Sequence, residues 1–294
     1  MTNSNSVEMP VQAVKHTHRL RLARFGCYIV LAILCFLCLF FFYMLIIDST
    51  RNNYQIMQGF AFYPGEALGY NFRNLMNDAN IPVISGLINS LIVSALSALL
   101  SVYFSSMTAY AIFAYDFKFK KAAFTLILLI MMMPTQISAL GFVQQMQSMH
   151  LMDSLIPLFL PAIASPIVVF FMKQYMDSSL PIDIVEAARI DGCSEFRTFN
   201  SIVMPIMKPA LAVQAIFTFV GAWNTFFVPA LLINDAHKKT LPILVMQLRN
   251  ADFLRFDMGQ VYIFITMAIV PIIIIYLFLS KYIVGGVTLG SVKG

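Results

Sequence analysis

The chain has 294 residues, of which 60% are hydrophobic and only 11% are charged, and its mean hydropathy is +0.80. Soluble domains usually carry about 25% charged residues, so this composition excludes a water-soluble globule and indicates an integral membrane protein. The net charge of +5 does not call for a nucleic-acid partner, because cytoplasmic loops of membrane proteins collect Lys and Arg.

Six apolar runs are long enough to cross a bilayer, which requires about 20 helical residues. The first run follows a polar tail, residues 1–24, and no signal-peptidase site comes after it, so we expect an uncleaved anchor. The sequence therefore predicts an all-α integral membrane domain over residues 25–294 with six transmembrane helices, at about 25–47, 86–114, 122–146, 155–175, 209–233 and 260–282.

Lys and Arg are distributed unevenly between the predicted loops. With the N-terminus in the cytoplasm, 13 of the 19 Lys and Arg residues fall on cytoplasmic segments and 6 on external ones. This bias, which is clearest in the short loop holding Lys118, Lys120 and Lys121, predicts that both termini are cytoplasmic.

The first external loop, residues 48–82, is too long for a simple turn. It interleaves aromatic residues with a Pro64–Gly65 turn, and we expect it to fold onto the same subunit or onto a partner. The aromatic residues are Tyr54, Phe60, Phe62, Tyr63, Tyr70 and Phe72.

A second long loop, residues 176–208, follows the fourth predicted span and begins with the signals of a short helix. Ser179 is a candidate N-cap, Pro181 suits the first turn, and Asp183 favours the positive end of the helix dipole. Glu186 and Arg189 are i, i+3 neighbours, so we expect them to pair on the exposed side.

The same loop then predicts a stop and a second helix. Gly192 is a natural helix C-terminus, a new helix can begin at Ser194, and Met204–Pro205 is expected to end it. Ala187 and Ala188 leave one surface shallow enough for another protein to approach closely. On these residues alone, the elbow is either a docking site for a protein or an amphipathic segment at the membrane surface.

The spacing within this loop resembles a known family. Glu186-Ala187-Ala188, three residues, Gly192, nine residues and then Ile202-Val203-Met204-Pro205 is similar to the EAA loop of ABC importer permeases, with Met204 where leucine is usual. Asn89-Ser90-Leu91-Ile92-Val93, Val220-Gly221-Ala222-Trp223-Asn224 and the terminal segment 285–294 further resemble the maltose-permease-like sugar group, in its MalG-like half. The resemblance covers about residues 25–294.

The resemblance implies a multi-protein importer in the inner, or cytoplasmic, membrane of a bacterium or archaeon. In that family the loop is a coupling helix that docks on an ATPase, so the implied docking residues are Glu186, Ala187, Ala188, Gly192, Ile202 and Pro205. The C-terminal tail is a second implied ATPase contact, through Ser291, Val292, Lys293 and Gly294. Implied partners are a second homologous permease, two ATPase subunits that bind ATP and Mg, an external solute-binding protein, a sugar and membrane lipid.

Catalysis by this chain itself is not expected. Of the Asp, Glu, Lys, Arg and His residues, only Lys173 and Lys281 fall in the six predicted spans, both at cytoplasmic ends, which argues against a proton-coupled carrier. No P-loop motif is present, so ATP hydrolysis must come from a partner. The four histidines, including His16 and His18, lie in tails or loops without metal-ligand spacing, so we predict no metal site and no cofactor.

Candidate sugar contacts are Gln136, Trp223 and Asn224, which combine amide groups with an aromatic face inside predicted spans. The alternative is that the amides join helices and that Trp223 packs at an interface or gate. Two other functions remain open: an ABC permease for a non-sugar solute, such as a glycerol phosphate or a peptide-like compound, and a stand-alone secondary carrier.

Overall fold

The computed structural model describes residues 11–250 and 257–290, and within these ranges the chain is helical without a β-strand. The predicted all-α membrane fold is confirmed. The longer helices are α1 (Val11–Ser49), α4 (Val83–Ala114), α8 (Pro166–Ser179), α12 (Lys208–Asn224) and α15 (Met258–Gly290). Shorter helices lie between them: α2 (Asn53–Met57), α3 (Leu68–Asn77), α5 (Lys120–Met131), α6 (Thr135–Ser148), α7 (Ile156–Phe159), α9 (Ile182–Ile190), α10 (Glu195–Thr198), α11 (Met204–Ile206), α13 (Phe227–Leu232) and α14 (Leu241–Arg249).

Four stretches of the described chain are long and apolar enough to cross a membrane, and two bent helix pairs raise the number to as many as six. The four are Arg24–Ser49, Val83–Ala114, Ile156–Ser179 and Met258–Ser280. Each overlaps one predicted span and ends within about five residues of it. The count of six stays a prediction, because it requires each bent pair to act as one span.

The predicted spans at residues 122–146 and 209–233 are not continuous helices. In the first run, α5 and α6 meet at an angle of 96° around Pro134. Proline has no amide hydrogen to donate and pushes the preceding residue out of the helical region, so the helix stops before it. In the second run, α12 ends at Asn224 and α13 starts at Phe227, so the helix breaks well before residue 233.

Helix α4 lies at the centre of the fold, with α8 and α12 packed along it. Its contact face carries serines that are almost completely buried, and their small side chains let the neighbouring backbones approach closely. They are Ser90, Ser94, Ser97, Ser101, Ser105 and Ser106. By contrast, the membrane-spanning part of α1 leaves most of its side chains exposed, so lipid or another subunit must cover them.

The long loop at residues 48–82 folds onto its own subunit through polar contacts and through Phe60, whose ring lies 5.8 Å from that of Phe40 in α1. Asn71 of α3 is fully buried and donates hydrogen bonds to the carbonyls of Ser49 and Arg51, both at 2.9 Å. The tyrosines of the loop are largely exposed, with Tyr54 71% and Tyr63 75% exposed. Their exposure leaves them available to lipid headgroups or a partner.

Candidate functional site

The elbow between α8 and α12 consists of α9, α10, a π-helical turn at Phe199–Val203, and α11. The predicted helix–glycine–helix arrangement is therefore present. Two of its expected details are wrong. Ser179 is the last residue of α8 and caps nothing, since α9 begins after Pro181 without a side-chain cap. Pro205 lies inside α11, and the chain turns at Met207 instead, by 84° between Glu195–Ile206 and α12.

Gly192 ends α9 in a Schellman motif. The amide of Cys193 donates to the carbonyl of Ala188 at 2.9 Å, and the amide of Gly192 donates to that of Arg189 at 3.0 Å. Gly192 has φ +73°, a left-handed conformation that glycine adopts without steric cost. Ser194 then caps α10 by accepting a hydrogen bond from the amide of Arg197.

One face of α9 is buried against the membrane helices. Val185 is completely buried and Ala188 is 4% exposed. Val185 shares a core cluster with Phe199 and Met207 of the elbow and with residues from α4 and α8. The elbow is therefore part of one end of the helix bundle, and a force applied to it would reach α4 and α8 directly.

The opposite face of α9 is open. Asp183, Glu186, Ala187 and Ile190 follow the i, i+3, i+4, i+7 spacing of one helical face, and all four are exposed. We call these four residues the outer face of α9. Ile190 is 87% exposed, and Phe196 on α10 is 67% exposed. An acidic, shallow and partly apolar strip of this kind suits contact with another protein.

Of the implied docking residues, only Glu186 and Ala187 belong to this outer face. Ala188 points inwards and Gly192 forms the turn, as described above. Ile202 is half-buried, and Pro205 is exposed on α11. The implied tail residues, Ser291 to Gly294, lie outside the described residues.

A polar clamp joins the two limbs of the elbow to α4. Arg189 donates from Nε to Glu195 Oε1 at 2.7 Å and from Nη2 to the carbonyl of Ala114 at 3.2 Å. Tyr110 of α4 donates its hydroxyl to Glu195 Oε2 at 2.9 Å, and the guanidinium lies 5.2 Å from the ring centroid of Tyr115. The hydrogen bond from Arg189 holds the pKa of Glu195 below its usual range.

The prediction that Glu186 pairs with Arg189 is therefore wrong, because Arg189 forms its ion pair with Glu195 on the other side of the Gly192 turn. Sequence reasoning missed this clamp and the exposed Ile190. The signal was present in part: a basic residue in the last turn of one helix and an acidic one in the first turn of the next, with a tight turn between them.

The three candidate sugar contacts differ in their exposure. Trp223 is buried and stacks on Phe219, with ring centroids 5.6 Å apart, inside a core that also holds Phe264. Gln136, in the first turn of α6, and Asn224, at the end of α12, are both exposed. Among the described residues, no group of three or more His, Cys, Asp or Glu side chains is placed to hold a metal ion.

Comparison with known proteins identifies the family. Residues 101–288 match the family described as "Binding-protein-dependent transport system inner membrane component". The chain belongs to this family. The match includes α8, the whole elbow and α12, so the elbow belongs to the shared part of the family's chain.

Curated relatives extend over almost the whole chain. The arabinooligosaccharides transport system permease protein AraQ of Bacillus subtilis is 33% identical over 287 residues, which cover 96% of this chain and 100% of AraQ. AraQ of Halalkalibacterium halodurans is 35% identical over 90% of this chain and 94% of its own. The lactose transport system permease protein LacG of Rhizobium radiobacter is 27% identical over 94% of this chain and 99% of its own.

A solved structure agrees with the fold. A bacterial ABC transporter involved in the import of the acidic polysaccharide alginate contains a chain that matches with a TM-score of 0.75 at 20% identity, covering 89% of this chain and 96% of that one. Together, these matches confirm the ABC importer permease family recognised from the EAA spacing. The protein is thus a multi-pass membrane component of a transport system, in a family of permeases and not of enzymes.

Proposed function

We propose that this chain is the permease subunit of an ATP-driven, binding-protein-dependent importer whose cargo is an oligosaccharide or related sugar. It pairs with a second, homologous permease, two ATPase subunits and an external solute-binding protein. ATP and Mg bind to the ATPase partners, and this chain has no cofactor. Both termini and the elbow face the cytoplasm, in agreement with the charge bias of the loops.

The observation that carries this proposal is an exposed helix face whose opposite side is packed into the core of the helix bundle. The outer face of α9 is open to a partner, whereas its inner face, through Val185, belongs to the core shared by α4 and α8. The Arg189–Glu195 clamp adds a polar connection to Tyr110 and Ala114 of α4. Movement of an ATPase bound to α9 would therefore be transmitted to α4 instead of only bending a loop.

A carbohydrate cargo is supported by the relatives, whose names include arabinooligosaccharides and lactose. A second cargo class also has a specific observation in its favour, because the sn-glycerol-3-phosphate permease UgpE of Yersinia pestis is 27% identical over 88% of this chain. Its identity to this chain is lower than the 33% and 35% of the two AraQ proteins, so glycerol phosphate is the second choice of cargo. The earlier alternative of a stand-alone carrier has no support among these relatives.

Within the proposed transport path, Gln136 and Asn224 remain candidate contacts for the sugar, since both side chains are exposed. Trp223 contributes by packing, because its indole lies in the core against Phe219. We propose that this packing positions the end of α12, where Asn224 lies.

The test of the cargo is uptake in cells that lack the gene for this chain and carry it on a plasmid. Labelled arabino-oligosaccharide, lactose and glycerol 3-phosphate are supplied in parallel, with an empty plasmid as control. The proposal predicts plasmid-dependent, ATP-dependent uptake of a sugar. Plasmid-dependent uptake of glycerol 3-phosphate without uptake of any sugar would contradict it.

A further inference from the structure

An apolar groove opens on the surface of the helix bundle, between α4, α11, α12 and α15. It has a volume of about 420 Å³, and nine of its ten lining residues carry no charge. The apolar walls include Ala98, Leu99, Tyr103, Leu211, Ala215 and Leu279. Leu99 is 66% exposed at the groove, so the groove is accessible from outside the bundle.

The remaining lining residue is Lys208, the first residue of α12. Its side chain is exposed, and within the described residues it makes no hydrogen bond or ion pair. The groove therefore combines an apolar channel with a single unpaired cation at one end. A purely apolar helix from another subunit would leave that cation without a counter-charge.

The length of the groove fits within one leaflet of a bilayer. From Lys208 to Ala215 helix α12 rises about 10 Å, and half of a bilayer core is about 15 Å thick. Helices α4 and α12 run in opposite directions, so Tyr103 lies towards the Lys208 end and Ala98 towards the Ala215 end. Lys208 is thus at the level of the headgroups, and the apolar walls are at the level of the acyl chain.

We propose that this groove is a binding site for an anionic phospholipid, with an acyl chain along the walls and the lipid phosphate on Lys208. Basic residues at the cytoplasmic ends of grooves between membrane helices select anionic headgroups. The assignment requires only that the start of α12 lies at a membrane surface, so it does not depend on which solute is transported.

The test uses the assembled transporter in nanodiscs that contain equal amounts of phosphatidylglycerol and phosphatidylcholine. The photoreactive residue p-benzoylphenylalanine replaces Leu99, and mass spectrometry identifies the cross-linked species. The same residue at Leu126, which is 58% exposed on α5, reports the bulk lipid. We expect phosphatidylglycerol adducts at position 99 to be enriched about fivefold over position 126, the factor equivalent to the roughly 1 kcal/mol contributed by one Lys near an anionic surface.

Charge variants separate a specific site from general attraction. Lys208→Gln should abolish the enrichment, Lys208→Arg should retain it, and Lys118→Gln, which removes an exposed charge from the α4–α5 loop, should leave it unchanged. Equal lipid ratios at positions 99 and 126 would overturn the proposal. A cross-link from position 99 to the second permease in place of lipid would also overturn it and assign the groove to the subunit interface.

Discussion

At the scale of single residues, Arg189 joins three parts of the molecule: its own helix α9, Glu195 of α10 and the carboxyl end of α4. Both members of the ion pair are partly exposed, Arg189 by 33% and Glu195 by 38% of the side chain. Pairs with this exposure contribute about 0.2–1 kcal/mol to stability. The clamp is therefore a positioning device more than a source of stability.

The first prediction is a double-mutant cycle on this pair. Arg189→Met and Glu195→Gln should show a coupling of about 0.5–1 kcal/mol in the unfolding free energy, because each removes the same ion pair. Arg189→Met should be the more destabilising single variant, since it also loses the Ala114 carbonyl and the Tyr115 ring. Thermal unfolding of the purified transporter measures both effects, and a coupling of zero would contradict the clamp.

Gly192 allows a second prediction with a matched control. A Cβ at Gly192 meets nothing within 4 Å, so Gly192→Ala is opposed only by the left-handed backbone, at about 1–2 kcal/mol. Gly141 in α6 has equally open surroundings and no positive φ, so Gly141→Ala should be neutral or slightly stabilising. Comparison of the two melting temperatures checks this prediction, and equal shifts would contradict it.

Gly192→Asp adds a negative charge next to the outer face of α9. We expect the protein to insert normally but to lose ATP-coupled transport, because the charge alters the surface proposed as the ATPase dock. The measurement is solute uptake by cells in which the variant is shown to be inserted in the membrane. Normal uptake would show that this turn has no role in coupling.

Asp153 provides a pH prediction. Its carboxylate accepts hydrogen bonds from the amides of Asn234 and Asp235, and these bonds lower the pKa of Asp153. A carboxyl group whose pKa is lowered by folding stabilises the folded state above its unfolded pKa of about 4, and that stabilisation is lost as the pH falls through the folded pKa. The contact between the loop that holds Asp153 and the loop that holds Asn234 and Asp235 should therefore be unchanged from pH 8 to pH 5. It should weaken below about pH 4.

The Asp153→Asn variant is the control for that effect. In this variant the contact between the two loops should already be weaker at neutral pH, and it should not weaken further as the pH is lowered. Hydrogen exchange of the Asn234 and Asp235 amides, compared between wild type and variant, measures it. Equal protection of these amides in the two proteins at neutral pH would contradict the role given to Asp153.

At the scale of elements, the close approach of α3 to α15 depends on a glycine. A Cβ at Gly259 would lie 2.6 Å from both Nδ2 and Oδ1 of Asn71. Asn71 is buried and held by two hydrogen bonds to the end of α1, so it has little freedom to move. The end of α1, α3 and the start of α15 therefore meet at one closely packed point.

Gly259→Ala should consequently destabilise the protein by about 1–3 kcal/mol, because overpacking outweighs the gain in helix propensity. Gly141→Ala, which makes the same change in open surroundings, is again the control. Thermal unfolding measures the difference. A Gly259→Ala variant as stable as wild type would mean that α15 can shift away from α3 without cost.

Some features of the helices and turns could be predicted from the sequence alone. The turn at Gly192 and the cap at Ser194 were predictable, because helix termination and capping depend on neighbouring residues only. The clamp was not, since Arg189 selects its partner after the elbow folds back on itself. Pro134 is an intermediate case: a proline inside an apolar run favours a helix break, but local sequence does not fix the 96° angle.

At the scale of the whole molecule, the membrane class, the positions of most spans and the family followed from hydropathy and from one motif spacing. The direction in which each docking residue points did not follow, because it depends on which face of α9 meets α4 and α8. Ala188 and Ala187 are neighbours in the sequence, yet the first is 4% exposed and the second lies on the open face. The missing information was the packing of the elbow against the bundle.

The central claim is that the outer face of α9 is the dock for an ATPase, and a charge reversal tests it most directly. The transporter is purified through a tag on this chain in mild detergent, as wild type, as Glu186→Lys and as Glu66→Lys. Both glutamates are exposed, but Glu66 lies in the first external loop, so it is the matched control.

Wild type and Glu66→Lys should both retain the ATPase and the second permease, as identified by mass spectrometry. Glu186→Lys should retain the second permease but lose the ATPase by at least about tenfold, because like charges facing each other at an interface cost several kcal/mol. Retention of the ATPase by Glu186→Lys at the wild-type level would contradict the assignment of α9 as the dock.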